Sequence, residues 1–263
     1  MDSVGKWGIV LAGLAWLSWA AAPVQAFDDT AYARLLRAHV RPGSISGIRL
    51  NVVDYRGIKT DPNYATSLQD FATAQPQTFQ TEAERFAFWV NAYNLLAIKA
   101  VIDQYPTHSI RDGGSLFRSI WKKKIGVVAG REYALDDIEH GILRKAFHEP
   151  RVHFAIVCAS LSCPDLRTEL YRGDRLDVQL DDAARTFLRN PAKGLRPGRD
   201  GEPTRVSRLF KWFRKDFAPA GGVAAFIRAN IDTPLAARIA GPAEGELAYL
   251  GYDWSLNDAA RAR

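Results

Sequence analysis

The chain has 263 residues, of which 47% are hydrophobic, 11% aromatic and 24% charged. That balance supports a sizeable buried core and excludes an intrinsically disordered chain. Thirty-five basic against 29 acidic side chains leave a net +6, a mild excess that suits an anionic partner without demanding one. Two cysteines, Cys158 and Cys163, are too few for a disulfide scaffold.

In chain order, Lys6 precedes an uncharged apolar run from Trp7 to Ala22, followed by Pro23-Val24-Gln25-Ala26. A positive start, a short apolar core and a Val-x-Ala end describe a secretory signal peptide over residues 1–26. Sixteen apolar residues fall short of the roughly 20 that a spanning helix needs. The expectation is therefore an exported protein, periplasmic or secreted, with no stable membrane span once the signal is cleaved ahead of Phe27. The remainder divides into an N-terminal part over 27–79, a central core over 80–190 and a C-terminal part over 191–263.

Asp28 to Val40 reads as a helix closed by Arg41-Pro42-Gly43, and Ile48 to Tyr55 alternates as a strand. Tyr64 to Thr73 reads as a second helix. Thr81 with Glu84 forms a capping box opening a long helix, about 84–103, that is apolar on nearly every face. Only Arg85, Ala92, Lys99 and Asp103 mark a solvent stripe. Ile125 to Leu135 is predicted as a hairpin turning at Ala129-Gly130, followed by a helix from Asp136 to about Phe147. Val152 to Cys158 reads as a buried strand, and Ser162-Cys163-Pro164-Asp165 as a loop delivering a helix, with Pro164 at its first position. Leu180–Leu188, Val206–Phe217 and Val223–Asn230 are expected helices, residues 190–203 a loop, and Leu247 to Trp254 a last strand. Helices and strands mix without regular βαβ alternation. The class is α+β, a single compact domain with the buried helix packed on a small mixed or antiparallel sheet.

The informative positions are polar residues on apolar faces, because an unpaired buried polar group costs about 1–3 kcal/mol. Asn91 and Asn94 lie on the buried side of the long helix, where each amide either holds a neighbouring loop or orients a ligand. Glu139 falls in the apolar sector of its helix, so it must be partnered, by an arginine such as Arg151, or pushed towards neutrality. His140 beside it points to solvent. His153 sits on the predicted strand, whose alternation sets it on the face opposite Cys158. Cys163 escapes that constraint, and at a helix N-terminus its thiolate would gain from the dipole.

Three chemistries compete for these residues. One is a Cys–His nucleophile pair with Glu139 or Asn94 as orienter. Another is a Cys158–Cys163 disulfide, favoured by an oxidising compartment, in a non-catalytic envelope protein that binds a ligand or serves a structural role. The third, a metal site on His153 and both thiols, has spacing unlike that of zinc, so no metal or cofactor is expected. The basic run Arg118 to Lys124 carries one tryptophan and no nucleic-acid motif geometry.

Together, Phe88-Trp-Val-Asn91-Ala-Tyr93-Asn94, Leu135-Asp-Asp-Ile-Glu139-His140-Gly-Ile-Leu143 and Pro150-Arg-Val-His153-Phe-Ala-Ile-Val-Cys158-Ala-Ser-Leu-Ser-Cys163-Pro164 resemble the signatures of domain-of-unknown-function family 547. The segments Leu209-Phe-Lys-Trp-Phe…Asp216-Phe217 and Tyr252-Asp253-Trp254-Ser-Leu-Asn257 are similar to the flanks of its bacterial members. The likeness runs over about 48–257, centred on 80–190. It implies no established activity, only a relation to papain-like or transglutaminase-like thiol enzymes. Papain-like enzymes carry the nucleophile at the start of the core helix, where this chain has no cysteine. The expected enzyme is a thiol hydrolase or acyl transferase acting on a peptide or amide-like small molecule. Cys163 would be its nucleophile, His153 the base, Glu139 or Asn94 the orienter and Cys158 the reserve nucleophile. Asn91, Tyr93 and Arg151 are the expected ligand contacts.

Overall fold

A computed structural model describes residues 27–115, 119–198, 202–238 and 247–262. The expected signal segment, 1–26, lies outside the described residues. Among those described, no helix is long and apolar enough to cross a membrane.

The N-terminal part is α1 (Thr30–His39), a hairpin of β1 (Val40–Ile45) and β2 (Ile48–Val53), then α2 (Tyr55–Thr60) and α3 (Pro62–Thr73). Arg41-Pro42-Gly43 does end the helix, but by entering a strand rather than a loop: Pro42 pairs with Asn51 across the hairpin. A two-stranded sheet has only edges, so a missing N–H is tolerated there.

Helix α4 (Glu82–Ile102) is the spine of the molecule. The expected box is present, with Glu84 N bonded to Thr81 Oγ1 and Thr81 N to Glu84 Oε2. Fifteen of its 21 residues are buried. Ala92 is among them, so the predicted solvent stripe is broken in the middle, and the helix is enclosed on nearly all sides. The hairpin of β3 (Gly126–Val128) and β4 (Arg131–Tyr133) turns through Ala129 and Gly130, both at positive φ. That is the twist a two-residue hairpin turn needs. Its turn is fixed by Ala129 N and Gly130 N donating to Phe71 O and Ala72 O at the end of α3.

Leu135 to Phe147 is continuous but not uniform. Helix α5 (Leu135–Ile138) passes into a π-helical turn, Glu139–Leu143, and then α6 (Arg144–Phe147). Asp137 rather than Asp136 caps it, accepting from Ala134 N at 2.7 Å. Two expectations fail next. Val152 to Cys158 is not a strand: Val152–Ala155 forms a single helical turn, α7, and the chain extends only from Ile156. The backbone groups that a neighbouring strand would have bonded are taken instead by one side chain, since Asn94 donates to Ala155 O and accepts from Val157 N. No helix follows Pro164 either; residues 164–172 are irregular, and Cys163 N closes a turn on Ser160 O.

Helix α8 (Leu176–Leu188) starts four residues earlier than expected. Beyond it, β5 (Leu195–Arg196), β6 (Arg205–Val206) and β7 (Ala248–Tyr249) form a small sheet, antiparallel then parallel. The predicted Val206–Phe217 helix is broken into β6, α9 (Leu209–Trp212) and a 3₁₀ segment Arg214–Ala220, followed by α10 (Val223–Ala229) and α11 (Thr233–Arg238). The last predicted strand is paired in the sheet only at its start; Tyr252 to Trp254 have no regular secondary structure. Among the described residues the sheets are thus three small ones in an α+β domain. Apolar side chains gather in a main core about α4 and in a second cluster of Phe154, Phe187, Phe210, Phe217 and Phe226. Turn α7 lies at the seam, with Phe154 in the second cluster.

Candidate active site

A cavity of about 240 Å³ opens beside α4. Tyr93 of α4, Glu139 and His140 of the π turn, His153 of α7, Cys158 and Cys163 all line it. The sheet parity that would have separated His153 from Cys158 does not operate, because the chain between them is a helical turn followed by extended backbone.

Two clamps hold the thiol segment. Asn94 grips residues 155–157 from one side. From the other, Leu161 N donates to Ser255 O, Asn257 N to Ala159 O and Asp253 N to Ser162 Oγ, which lays residues 159–162 along 253–257. Between the clamps Ala159 takes φ +61°, a left-handed conformation costing an alanine about 1 kcal/mol. Cys158 sits at the edge of the main core, partly buried against it.

Cys158 is half-buried and Cys163 buried, and both are free thiols. Cys158 Sγ lies 3.2 Å from Ser160 Oγ and 3.2 Å from Tyr252 OH. Cys163 Sγ accepts the Cys158 N–H at 2.9 Å. Burial pushes the Cys158 thiol up, but hydrogen bonds from the Cys163 thiol, Ser160 and Tyr252 to the anion outweigh it and bring it down to about 6. Cys163 moves the other way: burial, and a neighbour that takes the charge first, hold it protonated well above the usual thiol range. Tyr252 is likewise raised by burial and by the thiolate, so it stays a phenol and a donor.

Glu139 has one close partner, the Tyr93 hydroxyl, 3.3 Å from Oε2. Burial dominates and pushes its carboxyl up to about 7. The expected pairing with Arg151 does not form. Arg151 instead bonds Glu149, Asp177 and Asp181 on a separate cavity of about 350 Å³ near the start of α4. Asn91 is also remote in function, since both ends of its amide are used by Tyr171 N and Tyr171 O.

His153 stacks on Phe213 with ring centroids 3.9 Å apart. Its Nε2 lies 2.8 Å from Asp216 Oδ2, so Nε2 carries the proton and Nδ1 is a lone pair with no partner. Burial keeps this imidazole neutral. Asp216 is held well below the usual carboxylate range by Arg144, which grips both its oxygens at 2.6 and 2.8 Å, and by His153. Arg144 Nη1 also donates to His140 Nδ1 at 2.9 Å, completing a chain from His153 through Asp216 and Arg144 to His140. Opposite these groups stand Trp121, Trp212, Trp254 and Tyr252, in mutual ring contact at 4.5–6.0 Å. Among the described residues no three His, Cys, Asp or Glu side chains converge as metal ligands.

Sequence reasoning passed over Asp216, Arg144, Ser160 and Tyr252 as site residues. Asp216 and Tyr252 do stand in the Leu209–Phe217 and Tyr252–Asn257 segments, where a polar residue recurs among aromatics. Arg144 and Ser160 carry no comparable signal.

Fold and cavity together define an α+β protein built round a thiol pair. Residues 76–188 match the family model described as "Protein of unknown function, DUF547", so this segment of the chain is similar to that family. No curated protein and no solved structure matches it. The matched segment carries Tyr93, Glu139, His153 and both cysteines, whereas Asp216, Tyr252 and two of the tryptophans come from beyond it.

Proposed function

We propose that the cavity is the active site of a thiol enzyme transferring acyl groups, to water or another acceptor, from peptide or amide-like substrates. Support comes above all from Cys158, a partly accessible sulfur that two hydroxyls at 3.2 Å stabilise as an anion. Its thiolate attacks the substrate carbonyl carbon. Glu139, protonated below about pH 7, gives its proton to the leaving amine. His153, with its Nδ1 lone pair unbonded, accepts a proton from the water or amine that releases the acyl group. Cys163 and Asn94 are positioning residues, and the aromatic wall holds the flat faces of the substrate while excluding water. This assignment moves the nucleophile from Cys163 to Cys158, because no helix N-terminus supports Cys163 and its burial keeps it protonated.

The test is acylation by p-nitrophenyl acetate, read by intact mass and peptide mapping. One acetyl group on Cys158 is expected, with a longer-lived acyl-enzyme in His153→Gln. Acetyl on lysines alone, or equal rates in Cys158→Ala, would overturn the proposal.

Export is part of the same proposal, supported by the Lys6–Ala26 pattern. The N-terminus of the protein recovered from the cell envelope should be Phe27; a retained Met1 would refute it.

A further inference from the structure

We propose that Cys158 and Cys163 form a reversible oxidation pair, making the cavity thiol a modification site for hydroperoxides. The inference rests on Cys158 being the reactive thiol, and it gives Cys163 a redox role beyond positioning.

The geometry is that of an attacking and a resolving thiol. Cys163 Sγ sits 2.9 Å from the Cys158 backbone nitrogen, so the second sulfur lies beside residue 158 across a turn spanning residues 158–163. That turn is closed by Cys163 N on Ser160 O and held along residues 253–257, so the pairing needs no large chain movement. Both cysteines line the cavity, but their exposure differs in the useful direction: Cys158 is half-buried and Cys163 buried. A hydroperoxide entering the cavity meets Cys158 as the more exposed of the two. Ser160 and Tyr252 hydroxyls at the same sulfur are the donors that a departing peroxide oxygen needs.

The chemistry balances with the hydroperoxide as oxidant. The Cys158 thiolate attacks one peroxide oxygen, the O–O bond breaks, and the other oxygen leaves as alkoxide or hydroxide and takes up a proton. Cys158 is then a sulfenic acid, oxidised by two electrons. The Cys163 sulfur attacks the Cys158 sulfur, the S–O bond breaks, and the hydroxide leaves with the Cys163 proton as water. The product is a Cys158–Cys163 disulfide, which an external dithiol returns to two thiols by exchange. While the bond exists there is no nucleophile, so acyl transfer stops. The buried partner also protects Cys158 from irreversible oxidation, because resolution competes with a second peroxide.

The experiment treats the reduced, purified chain with one equivalent of hydrogen peroxide, then maps peptides without reduction. The expected product is a 158–163 linkage, with alkylation of Cys158 falling to background and returning on addition of dithiothreitol. In Cys163→Ser the sulfenic acid should persist, trapped by dimedone, and advance to sulfinic acid with excess peroxide. Both wild-type mapping and the variant read the pairing, so a poorly folded variant leaves the first measurement standing. Persistent dimedone adduct in the wild type at the rate of the variant would overturn the pairing. If Cys158 of untreated protein neither alkylates near pH 6.5 nor acylates, the thiol-enzyme proposal itself fails. If it does both but no linkage forms, only the oxidation pair is lost.

Discussion

Two of the cavities that border α4 handle charge in opposite ways. The larger, about 350 Å³ near the start of the helix, surrounds Arg151, whose guanidinium is saturated by three carboxylates at 2.6–2.9 Å. The smaller, about 240 Å³, holds a carboxyl hydrogen-bonded to a tyrosine hydroxyl with His140 Nδ1 4.0 Å away, an imidazole nitrogen without a hydrogen-bond partner and a thiol stabilised as an anion. In the first, the half-buried cation is fully matched by carboxylates. In the second, burial and hydrogen bonding have moved the protonation of Glu139 and Cys158 towards neutral pH from opposite sides. Volume does not distinguish a site from a structural crevice; unsatisfied and displaced groups do.

The sharpest way to break the contrast is the thiol. In Cys158→Ala, alkylation by iodoacetamide at pH 6.5 should drop by about a hundredfold or more, the gap between a thiolate and a buried thiol. Cys163→Ala should keep the reaction but shift its midpoint upward from about 6, since one donor to the anion is lost. A pH series of labelling rates reads both, and a midpoint unchanged in Cys163→Ala would show that the sulfurs do not communicate.

Glu139 tests the same cavity through stability. Its folded value, about 7, lies above its ordinary 4.5, so the native state binds the extra proton between them. Stability from this group is present below about pH 4.5 and is lost as pH rises through 7. Glu139→Gln should therefore match wild type near pH 4 and exceed it by about 3 kcal/mol at pH 8 in urea unfolding. Cys158 acts with opposite sign, its folded value lying below the ordinary 9.0, so wild-type stability gains from that thiol as pH rises from about 6 to 9. Cys158→Ala should remove that rise. Equal pH slopes in wild type and Glu139→Gln would mean that the carboxyl is ionised throughout.

The two asparagines of α4 sharpen the comparison further. Truncating either to alanine strands two buried backbone groups and should cost about 2 kcal/mol in chemical denaturation. Asn94→Ala should also slow Cys158 labelling, because Asn94 holds residues 155–157, whereas Asn91→Ala, acting on Tyr171, should leave it unchanged. Smallest is Arg151→Ala, a partly exposed cluster worth about 1 kcal/mol, with no effect on labelling or acylation.

Much of the fold was legible from local pattern. The capping box at Thr81, the paired positive-φ turn at Ala129-Gly130 and the long apolar helix each depend on residues close together in sequence. The errors share a cause. Val152–Cys158 has the apolar run of a buried strand, yet its backbone partner is the side chain of Asn94, more than 60 residues away. Pro164 has the look of a first helical residue, but Asp165 and Leu166 after it are bonded to Asn51, more than 100 residues away. Arg151 looked like a partner for Glu139 because nothing in the sequence ranks Glu149, Asp177 and Asp181 above it.

By itself the sequence determined the class, the spine helix and the set of polar residues that had to be accounted for, because periodicity and burial cost are local properties. Only the tertiary structure decided which groups were satisfied and which were left reactive. That depends on Asn94, Asp216 and Tyr252 arriving from distant segments, and on how much water the assembled walls exclude from Glu139 and Cys158.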